Sequence, residues 1–270
     1  MKRFFPFLLI FCVLISEILA QDDQSHETTL NNLPSAIITD RPTVAVSPYL
    51  VPKGKFQIET GFVFENESNT TDNIKRFGIA GTLIRYSIFE NFEVRAASYY
   101  GMEQVSPIET TPDSSISGFG PLTLGFKTHI VEEKAWRPQM AVVVNMTLRH
   151  LGNEYFAPIY SFPDASFLIG YTLGKFAIVG NAGFSYNGSN PDGFFIYRAA
   201  FSYNILPELA IFVEPYGNFD HGDLPNHKVD AGFTYIVRNN LLIDISAGLG
   251  LSQTNDKSFA AAGLAWRIPR

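Results

Sequence analysis

From residue 55 onward, polar and apolar residues alternate with a period of two rather than 3.6, which is the pattern of strands with one apolar face. Phe56, Ile58, Thr60, Phe62 and Phe64 share one face, and Lys55, Gln57, Glu59 and Gly61 the other. Leu122, Leu124, Phe126, Thr128 and Ile130 oppose Thr123, Gly125, Lys127 and His129 in the same way, and Met140, Val142, Val144, Met146 and Leu148 oppose Gln139, Asn145, Thr147 and Arg149. The pattern predicts about twelve strands, near 55–65, 74–88, 92–105, 121–132, 138–150, 164–173, 175–187, 194–206, 208–219, 227–237, 241–252 and 257–268. Most run about ten residues or more, enough for a tilted strand to cross a bilayer. The segment 74–88 alternates least well, so Arg85 reads onto either face.

The connections sort by length. Short ones sit at Phe89-Glu90-Asn91, Leu173-Gly174-Lys175, Leu206-Pro207-Glu208 and Arg238-Asn239-Asn240, with a slightly longer one at 132–137. Longer polar stretches at 66–73, 102–120, 151–163, 187–193, 220–225 and 252–257 fall between them. Long and short therefore alternate along the chain, as they do when all hairpins of one kind emerge at one rim of an up-and-down barrel. A secreted β-sandwich would also give one-sided strands, but its strands average about five or six residues and nothing in it sorts loops by length. The expected fold is all-β: a transmembrane up-and-down antiparallel barrel of about twelve strands over residues 54–270. Its last strand puts Leu264, Trp266 and Ile268 on one face and ends in Pro269-Arg270 rather than an aromatic.

What precedes the strands fixes the compartment. Lys2 and Arg3 lead into an apolar run from Phe4 to Ile15, and Ile18-Leu19-Ala20 offers a cleavage site before Gln21. Residues 1–20 thus read as a secretory signal. Cys12, the only cysteine, follows Phe11 rather than a small residue, so lipidation is not expected and the mature chain would hold no disulfide. No later stretch reaches 18 consecutive apolar residues, which excludes a helical span after cleavage. Residues 21–53, with prolines at 42, 48 and 52, are expected to run extended as a periplasmic lead or a plug in the lumen.

Composition agrees with export into a lipid-facing wall. Charged residues make up 17% and aromatics 14% of the 270 residues, against about 25% charged in a typical soluble domain. A net charge of −6 excludes nucleic acid as a partner, since it would repel phosphate. With the apolar faces turned to lipid, the polar faces line the lumen: Glu59, Glu93, Arg95, Lys127, His129, Asn145, Arg198, Glu214, Asp230 and Asp244. These charges can form a neutralising network that fills the barrel, or can line a path that selects solutes. Lumen-side glycines at 61, 125, 170, 183, 232, 248 and 250 are expected to leave a water-filled cavity. Asp40 and Arg41 have no nucleophile or histidine nearby, so they are expected to latch the lead segment to lumen or rim charges of opposite sign.

Catalytic and metal motifs are scarce. His129 is the one mid-strand, inward histidine and is expected to join a hydrogen-bonded network; the 220–227 stretch, with two Asp and two His, is a weak surface metal candidate. No HExxH, paired Cys or calcium loop occurs. Barrel hydrolases need Ser and His held together on the wall, and Ser25-His26 lies in the unscaffolded lead. No enzyme activity, cofactor or metal is expected.

Two stretches, "ITDRPTVAVSPYLVPKGKFQIETGF" (38–62) and "SGFGPLTLGFKTHIVEEKAWRPQMAVV" (117–143), together with "LIRYSIFENFEVR" (83–95), resemble the bacterial outer-membrane transporter family named for the meta-pathway of phenol degradation. The resemblance implies an outer-membrane barrel that passes small organic compounds, aromatic ones among them. It supplies no transport residues, and Pro121 stands where relatives commonly carry an acidic residue. The expected function is passive passage of small organic solutes, with outer-membrane lipid as the surrounding partner and no TonB box to couple energy. The alternative is a structural or surface-interaction barrel with an occluded lumen, working through the aromatic loop at 151–163. The sequence sets no oligomeric state.

Overall fold

A computed structural model of the chain describes residues 36–68, 71–107, 113–189, 192–220, 225–251 and 256–268. The expected leader and residues 21–35 lie outside them, as do residues 221–224 of the histidine-containing loop. Thirteen strands form one sheet: β1 (Phe56–Ser68), β2 (Asp72–Phe89), β3 (Phe92–Pro107), β4 (Ser114–Phe119), β5 (Leu122–Val131), β6 (Gln139–Leu148), β7 (Phe162–Leu173), β8 (Phe176–Tyr186), β9 (Gly193–Asn204), β10 (Leu209–Phe219), β11 (Asn226–Arg238), β12 (Leu241–Gly250) and β13 (Asp256–Arg267). Each pairs antiparallel with its neighbours, β1 pairs with both β2 and β13, and β2 with β3. The sheet therefore closes on itself. Because β4 pairs only with β3, twelve of the thirteen strands make the ring, and no edge is left within it.

The faces follow from what surrounds the wall. Phe62, Phe126, Phe167, Ile178, Val213, Phe233, Ile245 and Leu264 are exposed on the outside, where lipid replaces water. The large buried side chains inside are Arg85, Lys127, Gln57, Glu59, Glu93 and Glu214. A water-soluble domain has the reverse arrangement.

Three features differ from the sequence pattern. First, β4 lies within the stretch expected to be a loop: it extends the hairpin by pairing Val105–Tyr100 of β3 with Ser114–Phe119, while Phe92–Ala97 of β3 pairs with β5. The wall strand breaks at Gly120-Pro121, since proline has no N–H for the ladder. Second, the expected 66–73 loop shrinks to 69–71, because β1 and β2 run 13 and 18 residues. Eighteen residues make about 60 Å of strand, so β2 stands well clear of an apolar band about 25 Å tall.

Third, β2 carries a bulge. Ile79 pairs with Tyr100 and Thr82 with Ser98, so two residues of β2 oppose Tyr99 alone; Ala80 takes a left-handed φ of 53° there. A bulge shifts side-chain parity by one. Arg76 above it and Arg85 below it consequently both point inward, and this is why the segment alternates poorly. Among the short connections, Gly174 (φ 59°) turns β7 into β8, a conformation that glycine adopts without strain.

Candidate functional site: a strand-free segment seated inside the barrel

Residues 36–55 form no strand, and their backbone N–H groups have no ladder to join. Burial would leave such donors unsatisfied, at a cost of about 1–3 kcal/mol each. Side chains projecting from the wall take them instead. Glu59 Oε2 on β1 accepts the N–H of Asp40 (3.0 Å) and Arg41 (3.1 Å). Glu214 on β10 accepts those of Val44 (2.7 Å) and Ala45 (2.6 Å). Asn181 on β8 accepts from Val46 N–H and donates to Val46 C=O. Glu93 on β3 accepts from Val51 N–H (2.8 Å).

Around this frame sits an ion cluster. The guanidinium of Arg85 donates to both oxygens of Glu93 (2.8 and 2.9 Å), to Glu59 Oε1 (2.9 Å) and to Tyr49 C=O (2.9 Å). Asp40 accepts from Arg95 (2.7 Å) and from Lys127 (3.1 Å to each oxygen), and lies 3.6 Å from Arg85. Lys127 also donates to Ser47 C=O (2.8 Å). Arg41 forms a two-point ion pair with Asp244 on β12 (3.0 and 3.3 Å). Burial alone would raise the Asp40 carboxyl, but Arg85, Lys127 and Arg95 outweigh it and hold it far below the usual carboxylate range. Tyr49 is pushed up to about 12 by burial and by its hydrogen bond to Glu133 (2.6 Å), against a smaller opposing contribution from Thr172.

The segment also has an apolar side. Ile37 packs on Leu242 and Ala265, and Val46 on Ala141, Val143 and Leu168, so the lumen holds apolar patches beneath it as well as charges. Small residues give it room. A Cβ on Gly61 would come within 2.7 Å of the Arg41 guanidinium, and one on its cross-strand partner Gly263 would collide with it. A Cβ on Gly170 would meet Pro48 at 2.7 Å. The expectation that lumen glycines leave a cavity holds where Gly248 and Gly250 line one above the segment, and is corrected at the other positions. The segment fills the space at Gly61 and Gly170, and neighbouring side chains fill it at Gly125 (Asn145), Gly183 (Ser166) and Gly232 (Phe212). At Gly250 a Cβ would come within 3.2 Å of Lys257 Cβ, a tight contact.

The ion cluster lies toward the short-turn rim, within a few residues of the strand ends at Phe56, Phe89, Phe92, Val131 and Leu241. Five of the sequence-selected residues, Glu59, Glu93, Arg95, Lys127 and Asp244, meet there around Asp40 and Arg41, and Glu214 joins through the backbone. The others stand apart. Asn145 donates to Asp164 across the β6–β7 pair (2.9 Å). Arg198 is half-buried and makes no hydrogen bond among the described residues, though it lies within electrostatic reach of Asp164 and Glu214. Asp230 sits opposite Glu214, and both of its oxygens are buried without a donor among the described residues. His129 does not join a network: its Nε2 is buried without a partner. It lies next to a register shift near the end of β5, beyond the charged cluster. Sequence reading passed over Asp164, Asn181 and Glu133, although the first two share the parity of polar neighbours. Among the described residues no group of three or more His, Cys, Asp or Glu could hold a metal.

Above the segment, toward the long loops, a cavity of about 190 Å³ opens between β1, β2 and β10–β13, with Val44 in its lining. Glu67 there pairs with Arg76 (2.8 Å) and Lys257 (2.9 Å), and Arg76 also with Glu103 (2.6 Å).

The barrel can be set beside known proteins. No curated protein matches the chain in sequence. Among solved structures it is similar to an outer-membrane channel from Pseudomonas putida F1 (TM-score 0.57, 14% identity, covering 81% of this chain and 97% of that one). It is also similar to the translocator domain of the autotransporter NalP from Neisseria meningitidis (TM-score 0.52, 11% identity, 79% and 88%) and to the NanC porin (TM-score 0.50, 7% identity, 77% and 100%). At these identities the likeness speaks for the fold, that of closed barrels of the bacterial outer membrane. Residues 39–268 match the model of the family described as "Putative MetA-pathway of phenol degradation", and the chain, an outer-membrane β-barrel, belongs to that family.

Proposed function

We propose that the protein is a passive outer-membrane channel for small organic solutes, aromatic or hydrophobic in character, and that residues 36–52 are its plug at the short-turn mouth. One observation carries this reading. The segment is held by individual side chains from strands distant in the sequence, not by a strand ladder, so each bond can be exchanged for water or solute separately. Glu59, Glu93, Arg95, Lys127 and Asp244 then serve as the plug's seat, and Asp40 and Arg41 as its two latches. Glu214 joins the seat through the backbone of Val44 and Ala45, and Asn145, Arg198 and Asp230 line the route above it. The family's description supports small organic solutes.

The test is single-channel conductance of the refolded chain in planar bilayers, together with a variant lacking residues 36–50. The full chain is expected to pass little current, and the shortened one several-fold more, with phenol entering liposomes that contain either. Absence of both current and phenol uptake from the two proteins would overturn the channel reading. Equal conductance would leave a channel in which the segment is only a tether.

A further inference from the structure

We propose that the cavity above the segment is a binding site for a small aromatic carboxylate, a single ring bearing one negative charge; this rests on the channel reading and names a solute class for it. The size fits. A cavity of about 150 Å³ suffices for benzene, and this one measures about 190 Å³, leaving room for one ring and a small charged group.

The lining fixes the charge. Three cations face the cavity, Arg76, Lys228 and Lys257. Two of them are already satisfied by Glu67 and Glu103. Lys228 is the exception: it is half-buried, forms no ion pair or hydrogen bond among the described residues although Glu65 and Glu67 lie within electrostatic reach, and its Nζ stands 6.0 Å from the Tyr216 ring centroid. An ammonium carries three donors, and no protein acceptor takes those of Lys228 among the described residues. A carboxylate arriving beside it supplies what is missing. Glu65, the other charge there without an ion pair, is exposed, so water can hydrate it. A second negative charge on the ligand would face Glu65 and Glu67, and this restricts the ligand to a monoanion.

The rest of the lining suits a ring. Tyr216 lies directly across the β10–β11 pair from Lys228, Phe259 forms part of another wall, and Val44 contributes its apolar side chain. Aromatic faces of this kind take an offset or edge-on ring. Gly250, opposite Lys228 on β12, adds no side chain beside it. A bound ring would touch Val44, whose N–H is held by Glu214, and so would touch the top of the segment.

The experiment is equilibrium dialysis of labelled benzoate against the refolded full chain in detergent at pH 7, with benzyl alcohol as the neutral counterpart. Folding is checked by heat-modifiable gel mobility. Lys228→Gln is expected to weaken benzoate binding about tenfold, the loss of one charge-assisted hydrogen bond, and to leave benzyl alcohol unaffected. Lys228→Arg is expected to retain benzoate, and Phe259→Ala to weaken both compounds. Benzoate binding that is absent, or equal in the wild type and Lys228→Gln, overturns the site. Binding that depends on Lys228 in a barrel that passes no current would keep the site and remove the channel.

Discussion

A guanidinium withdrawn from water is tolerable only when its donors are met, and Arg85 meets that condition with two carboxylates and a carbonyl of the segment it anchors. Asp40 is its complement, a carboxylate kept ionised by three cations. Its folded-state pKa lies below the unfolded value, so its contribution to docking is present above the unfolded carboxylate range and is lost only as the pH falls into strong acid. Tyr49 behaves in the opposite sense. Its folded-state pKa of about 12 lies above the ordinary 10.0, so the phenol's hydrogen bond to Glu133 contributes fully below pH 10 and is lost as the pH rises toward 12. Raising the pH from 9 to 12 should therefore loosen the segment, seen as faster proteolysis near Arg41, and Tyr49→Phe should remove the part of that change due to the phenol. Identical alkaline profiles for the wild type and Tyr49→Phe would contradict this. Asp40 and Arg41 stood out in the sequence because a charged pair precedes three prolines. Arg85 did not, because the parity that would place it is reset by the Ala80 bulge five residues away.

Strands in this wall are specified by alternation, and the alternation is enforced from outside by lipid. A charge on the outward face must leave water, and its penalty depends on depth. Ile245, mid-way along β12 and 56% exposed, should cost about 2–4 kcal/mol when replaced by lysine, whereas Leu251, just past the end of that strand, should cost about 0–1 kcal/mol. Folding titrations in urea with lipid vesicles would measure both, and equal penalties would place the membrane band elsewhere. β4 shows the limit of the pattern. Ser114–Phe119 is mostly serine and glycine, with Ile116 and Phe119 on opposite faces so that no apolar face marks it, and it forms because the outer half of β3 offers unpaired backbone groups.

At the scale of the whole molecule, a closed ring of twelve strands encloses a segment from its own chain. The ring is held by continuous ladders and the segment by separate side-chain bonds, so the segment is the part free to move without breaking the wall. Pro48 lies against Gly170, its Cγ 2.7 Å from where a Cβ there would stand, so cysteines at the two positions are a direct test of whether the segment moves. In the Pro48→Cys, Gly170→Cys protein, oxidation should hold conductance at its lowest level and reduction should restore the wild-type level. Cys12 is the only native cysteine, and replacing it with serine removes any competing thiol. Conductance indifferent to the bridge would mean that the segment never leaves its seat.

Twelve of the thirteen strands, their outward faces, and the segregation of long and short connections could all be read along the chain. Each is a local pattern that lipid on one side and a confined lumen on the other impose strand by strand. The inward orientation of Glu59, Glu93 and Lys127 follows from the same period. What the period does not contain is which inward groups meet. Arg41 and Asp244 are 203 positions apart, and Asp40 reaches Lys127 over 87. Such partners are chosen by barrel closure and register, and one extra residue in β2 suffices to exchange the faces of everything beyond it. The glycines make the same point: in sequence they are gaps, and only in the closed barrel are they the slots into which Arg41 and Pro48 fit.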